Sequence, residues 1–194
     1  MSKQIEIVAG PNGSGKTTFA QVYFKIRNGK SRFINADRIA AGLAPGNEQQ
    51  AAFHAGRVML AAVEEALENG ESFSFETTLS GRAWLGFLKK AKQRGYRITI
   101  YFVYLQKVSM NVKRIRQRVI EGGHGIPRET VIRRYSRSFE NFWKLYRPIA
   151  DEWFVFDNSG SKPLEVQTKE KFEELPVDEK NGFQKAFFKV GKVS

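Results

Sequence analysis

The chain has 194 residues, 41% of them hydrophobic, with six prolines and a net charge of +12. This composition excludes a disordered polymer and fits one ordinary domain, or one domain with a tail, able to bury a core. With no cysteine, disulfides and thiolate metal sites are excluded, and with no apolar run near membrane-span length the expectation is a cytoplasmic protein without a membrane partner.

The first apolar run, from Ile5 to Ala9, reads as a strand that ends in a glycine-rich turn. Gly10-Pro-Asn-Gly-Ser-Gly-Lys-Thr17 fits G-x-x-x-x-G-K-[ST] without a mismatch, and Thr18 to Lys25 reads as the helix that follows. Glycines let the backbone wrap until its N–H groups face phosphate oxygens, and the helix start adds its positive dipole end. The expected nucleotide-binding set is therefore Gly10, Pro11, Asn12, Gly13, Ser14, Gly15, Lys16, Thr17 and Thr18. Lys16 reaches the β- and γ-phosphates of ATP, and the Thr17 hydroxyl takes one Mg²⁺ coordination site.

Next, Phe33-Ile34-Asn35 is a short buried strand that aims Asp37 at the phosphates, because ligands of parallel α/β sheets bind beyond the carboxyl ends of the strands. Asp37 is either a catalytic carboxylate or a helix N-cap. Arg38 to Gly46 reads as a short helix and turn, and Glu48 to Asn69 as a long helix closed by Gly70. His54 lies within that helix and reads as structural.

Ser72 to Glu76 alternates polar and apolar residues and reads as a strand ending in an acid. Glu76 either contacts substrate or holds a water of the metal; in the following loop Thr77 is a further substrate candidate, and Arg82 either touches substrate or caps a helix. Trp84 to Arg94 is helical, and Arg97 to Leu105, the longest β-branched and aromatic run, is a central strand.

Ser109 to Glu121 and Arg128 to Tyr146 form a helical hairpin around Gly122-Gly-His-Gly-Ile-Pro127. Val112, Ile115 and Val119 mark the buried face of the first helix; Ile132, Tyr135, Phe139 and Phe142 mark that of the second. The aromatic stripe has helical spacing and is core rather than a base-stacking platform. Residues 82–148 hold 17 Lys and Arg against Glu121, Glu129 and Glu140, so nearly all the positive charge sits in and around this hairpin. Arg118, His124, Arg134 and Arg137 are the phosphate-binding candidates of the hairpin, His124 reading equally as part of a solvated turn, whereas Arg114 and Arg116 read as a solvated face. A glycine-hinged lid excludes water, which would otherwise hydrolyse ATP.

Trp153 to Asp157 is the last strand, and Asn158 after it either touches adenine or makes an Asx-turn. The expected division is a kinase domain over residues 1–160, with the lid hairpin at about 109–147, and an appendage over 161–194 that closes the sheet edge or trails in solvent. Strands alternating with helices, the first leading into a phosphate loop, give an α/β fold with a three-layer open parallel sheet, the nucleoside-kinase-like P-loop architecture. No Asn-Lys-x-Asp guanine motif and no strand ending in paired acids is present, which sets GTPases and motor ATPases aside. Phosphoryl transfer to a hydroxyl suits the single carboxylates and the basic lid.

The set Gly10 to Thr17, Ile34-Asn-Ala-Asp-Arg-Ile-Ala40, Phe75-Glu-Thr-Thr-Leu79, Gly122-Gly-His-x-Ile-Pro127, Arg133-Arg134 and Phe156-Asp-Asn-Ser-Gly160 resembles the zeta toxin family of P-loop kinases, in particular its short stand-alone bacterial branch. The resemblance implies ATP- and Mg²⁺-dependent phosphorylation of a sugar hydroxyl on UDP-N-acetylglucosamine. It places the catalytic base on Asp37, the P-loop lysine on Lys16 and the substrate-side acid on Glu76. His124 stands where the family's well-studied toxins place an arginine, so the lid role moves to Arg118, Arg134 or Arg137. An antitoxin protein is a further expected partner. The alternatives are a kinase of another hydroxyl acceptor, such as an antibiotic, sugar or nucleoside, and a basic P-loop ATPase acting on nucleic acid. Clustering of the charge beside the phosphate turn, rather than along a broad stripe, argues against nucleic acid.

Overall fold

A computed structural model describes residues 3–27, 32–35, 48–123 and 125–192, without the side chains of 24–27 and 48–55. Asp37, His54 and His124, and the expected short helix at 38–46, lie outside what is described.

Six strands form one sheet in the order β2-β3-β1-β4-β5-β6. They are β1 (Gln4–Ala9), β2 (Arg32–Ile34), β3 (Phe73–Thr77), β4 (Arg97–Tyr104), β5 (Glu152–Asp157) and β6 (Leu164–Thr168). The first five pair in parallel, and β6 runs antiparallel along β5. Ile5, Ile7 and Ala9 of β1 face one layer while Val8 faces the other, the period-two alternation of a sheet covered on both sides.

The helices are α1 (Lys16–Arg27), α2 (Glu48–Glu68), α3 (Trp84–Gln93), α4 (Val108–Ile120), α5 (Arg128–Asn141), α6 (Lys169–Glu174) and α7 (Val177–Gly191). Phe19 and Ala20 of α1 pack on Val8, Tyr101, Val103 and Phe156. The larger layer on the opposite face takes Met59, Val63, Ala66 and Leu67 from α2, Leu88 from α3, and Tyr135 and Phe139 from α5.

The hairpin departs from its expected pattern in two ways. α4 buries only Asn111 and Ile115, and Val119, expected inside, is 45% exposed. The loop at Gly13 meets α4 at Asn111 and Ile115, and burial of the helix ends there. α5 turns Val131, Tyr135, Ser138 and Phe139 inward, so Ile132 is only half-buried. Its end also widens into a π turn, Phe142–Tyr146, closed by the Arg147 N–H on the Phe142 carbonyl at 2.8 Å. The aromatic stripe is core: Phe142 stacks on Phe102 with ring centroids 4.4 Å apart.

Residues 164–192 fold onto this frame. β6 covers the edge of β5, and Phe187 of α7 is buried among Phe102, Phe139, Phe142 and Trp143. The Arg147 guanidinium lies 4.1 Å from the Trp143 ring centre and 5.1 Å from that of Phe172 in α6, tying the tail to the core by cation–π contact. Among the described residues no helix is long and apolar enough to cross a membrane.

Candidate active site

β1 delivers the chain into the glycine loop, and α1 begins within it at Lys16. At Gly10, with φ of 140°, an added Cβ would stand 1.9 Å from the Val103 carbonyl oxygen, so the loop can leave the sheet here only as glycine. Its N–H donates to the Thr77 carbonyl at 3.2 Å, joining the loop to the end of β3. Gly15 is equally confined: its Cβ would meet the Asn158 amide nitrogen at 2.5 Å.

The Lys16 ammonium donates to the Pro11 carbonyl at 3.0 Å, folding across the loop it serves. The Thr17 hydroxyl lies 3.1 Å from Oε1 and 3.0 Å from Oε2 of the Glu76 carboxylate, and the Asn35 amide donates to Oε1 at 2.9 Å. The first turn of α1 and the ends of β2 and β3 thus converge on one hydroxyl–carboxylate pair. Asp37 follows Asn35 by two positions and lies outside the described residues.

A cleft of about 290 Å³ opens over this pair. Its walls are Asn12, Gly13 and Gly15 to Thr18 on one side, Glu76 at the floor, and Arg114, Ile115 and Arg118 of α4 on the other. Two larger hollows, about 460 and 470 Å³, lie against α7 and carry lysines and Phe188 but no phosphate-binding loop. We place the site by its chemistry, not its volume.

Outside the cleft wall, Arg134 of α5 brings a third guanidinium to the phosphate loop, donating to the Asn12 side-chain oxygen at 3.4 Å. Burial pushes its pKa down, and neighbouring Arg133 pushes the same way. An anion in the cleft would relieve that strain on the charged form. Arg82 and Arg137 are exposed, and neither is part of the cleft wall.

Asn158 and Thr77 are turned toward the protein. The Asn158 side-chain amide donates to the Ser14 carbonyl at 2.8 Å, and the Asn158 main-chain carbonyl accepts from the Arg114 guanidinium at 2.9 Å. The Thr77 hydroxyl accepts from the Trp84 indole and the Leu79 N–H. Two residues escaped sequence reasoning. Arg114 is in the wall, and its i, i+4 spacing to Arg118 was the available signal. Asn111 is fully buried and donates to the Asn12 carbonyl at 2.8 Å, pinning α4 to the loop, and nothing in the sequence marked it.

Comparison with known proteins bears on this geometry. An uncharacterised protein of Haemophilus influenzae is 31% identical over 135 residues, covering 70% of this chain and 94% of its own. The PezAT toxin–antitoxin system of Streptococcus pneumoniae superposes with a TM-score of 0.64 at 14% identity, over 98% of this chain and 84% of that one. The AvrRxo1-ORF1:-ORF2 complex with ATP gives 0.70 at 17% identity, over 100% and 65%. A gluconokinase from Sinorhizobium meliloti gives 0.50 at 14% identity, over 98% and 91%. These structures share the fold. The zeta toxin family profile matches residues 2–162, and with the glycine loop, the Thr17–Glu76 pair and the arginine wall in place, the chain belongs to the zeta toxin family of ATP-dependent P-loop kinases.

Proposed function

We propose that this ATP-dependent phosphotransferase moves the γ-phosphoryl group to a hydroxyl of a small phosphorylated metabolite, with UDP-N-acetylglucosamine the acceptor that family membership suggests. The observation that carries this reading is the cleft itself. A phosphate loop faces a carboxylate on one side and the guanidiniums of Arg114 and Arg118 on the other, in a space sized for phosphates and one acceptor group.

The donor oxygens fit a hard cation: the Thr17 hydroxyl and the Glu76 carboxylate are already within hydrogen-bond distance of each other. The remaining ligands of such an ion would be phosphate oxygens and water. Bound there, Mg²⁺ would neutralise β- and γ-phosphate charge. Thr17 would be its direct ligand, with Glu76 reaching it through water.

The chain's own residues do the rest. Loop N–H groups and Lys16 hold the triphosphate in line. Arg114, Arg118 and Arg134 stabilise charge on the migrating phosphoryl oxygens, which in a loose transition state is most of the catalytic task. Asp37 orients the acceptor hydroxyl and takes its proton. The loop from Thr77 to Arg82 would bound the acceptor side, and His124 is a further candidate for phosphate or substrate contact. In this reading residues 1–160 are the catalytic unit, 161–194 brace it, and the enzyme works in the cytoplasm. PezAT is a toxin–antitoxin system and AvrRxo1-ORF1 is held with ORF2, so a protein inhibitor is a natural partner here too.

The test is Asp37→Asn with ATP and UDP-N-acetylglucosamine, followed by mass spectrometry of the nucleotide sugar. Transfer should fall by roughly 10²–10⁴-fold with ATP affinity unchanged. Equal turnover by the variant removes Asp37 from the chemistry. A wild-type enzyme that leaves this sugar untouched but phosphorylates another alcohol in a metabolite panel replaces the acceptor and keeps the mechanism.

A further inference from the structure

The segment after Glu76 holds a conformation that nothing in its own sequence favours. Leu79 has φ of 52°, the only positive φ at a non-glycine among the described residues, and its side chain is buried at 1% exposure. A branched side chain resists this region, and such outliers persist only where the surroundings over-determine them.

The surroundings here are the end of α5 and its π turn. The Asn141 amide donates to the Leu79 carbonyl at 2.8 Å and approaches the Gly81 carbonyl at 3.5 Å; the buried Tyr146 hydroxyl donates to the Gly81 carbonyl at 2.7 Å. On the other side the Thr77 hydroxyl accepts from the Leu79 N–H and the Trp84 indole, and the Thr78 and Ser80 hydroxyls bond each other at 2.8 Å. Asn141 and Tyr146 are five residues apart. In a regular α-helix they would point about 140° away from each other, too far to reach neighbouring carbonyls of one loop. A π turn, whose hydrogen bonds span five residues, brings them onto one side.

We infer that Asn141 and Tyr146 are positioning residues: the π turn at the end of α5 clamps loop 77–82 with Leu79 in its left-handed conformation, and the clamped loop sets which acceptor hydroxyl reaches the cleft. The inference deepens the reading above, since it takes this loop as the acceptor wall. It also gives α5 a double task. Through Arg134 the helix touches the phosphate loop at Asn12, and through Asn141 and Tyr146 it holds the loop that follows Glu76, so the donor loop and the proposed acceptor loop are set from one helix and its π turn.

The experiment uses Asn141→Ala, Tyr146→Phe and the double variant in the full chain. Two readouts are taken: hydrogen exchange of the peptide spanning 77–84, and steady-state kinetics with ATP varied against UDP-N-acetylglucosamine. If the wild type ignores that sugar, the acceptor is whichever compound it labels in a small-molecule cell extract. The expected result is faster exchange in the loop, greatest in the double variant, with the acceptor KM raised about tenfold per lost hydrogen bond and the ATP KM within about twofold. Tyr146→Phe removes one oxygen and Asn141 is only half-buried, so at least one variant remains folded. A loop as protected as in the wild type overturns the clamp whatever the acceptor proves to be. A loosened loop with unchanged acceptor KM, or with ATP and acceptor KM rising together, overturns the assignment to acceptor selection. If the wild type labels nothing at all, the acceptor reading has failed and exchange alone decides the clamp.

Discussion

Replacing Asn158 by alanine tests how the phosphate loop is held. The Asn158 amide is the partner of the Ser14 carbonyl, and Ser14 is fully buried, so its loss leaves a peptide oxygen without a bond and out of reach of bulk water. An acceptor stranded in this way costs about 1–3 kcal/mol. If the loop gives way in the free protein, the cost falls on stability, at about 2–4 °C of Tm per kcal/mol for a chain of this size. If it gives way only around phosphate, the cost appears as a roughly 5- to 150-fold weaker ATP Kd. Calorimetric titration with ATP and with GTP, beside a thermal melt, separates these. The loop clamp predicts equal loss for both nucleotides, because the triphosphate is common to them, and a larger loss for Asn158→Asp, which sets a carboxylate against a carbonyl. Loss confined to ATP would mean that Asn158 reads the base, and no loss in either assay would refute the clamp.

Other outcomes follow from the packing. Gly10→Ala should yield no stable protein by circular dichroism, since its Cβ would lie inside the Val103 carbonyl. Phe187→Ala should cost about 3–5 kcal/mol in urea unfolding, because this buried ring joins the tail to four aromatic side chains of the sheet layer. Alkaline pH should unfold the chain. Burial pushes Tyr104 up to about 12, with Asp157 adding to it, and burial likewise takes Tyr146 to about 12 against the opposing Trp84 backbone bond and Arg82. Unfolded tyrosine ionises near pH 10, so stability is intact below that pH and falls through 12, by roughly 2–3 kcal/mol for each ring. A flat stability curve between pH 9 and about 12 would refute it.

Much of the frame was legible because local chemistry and tertiary structure agree. Ile5 to Thr17 carries its own strand, turn and helix signals, and each strand up to β5 ends within a residue or two of where its apolar pattern stops. The single acid at Glu76 marked the floor of the cleft. What escaped reading depends on partners distant in sequence. The sequence marks Asn158 only as an adenine contact or an Asx-turn and Asn111 not at all, and the chain brings them to carbonyls of the glycine loop 144 and 99 positions away. Arg114 has the same pattern as a solvated arginine, and only the Asn158 carbonyl and the cleft distinguish it. β6 was hidden because an edge strand needs little apolar patterning: Leu164 is 65% and Val166 42% exposed. The π turn has no sequence signature at all.

The three tryptophans divide the molecule between them. Trp84 bonds Thr77 and lies 4.6 Å from the Phe75 ring, next to Glu76, whereas Trp143 and Trp153 flank Arg147 where the C-terminal segment seats. The chain therefore carries two built-in fluorescent reporters. Emission from the first follows rearrangement beside the cleft, emission from the other pair follows detachment of the tail, and single Phe replacements tell the two signals apart in unlabelled protein.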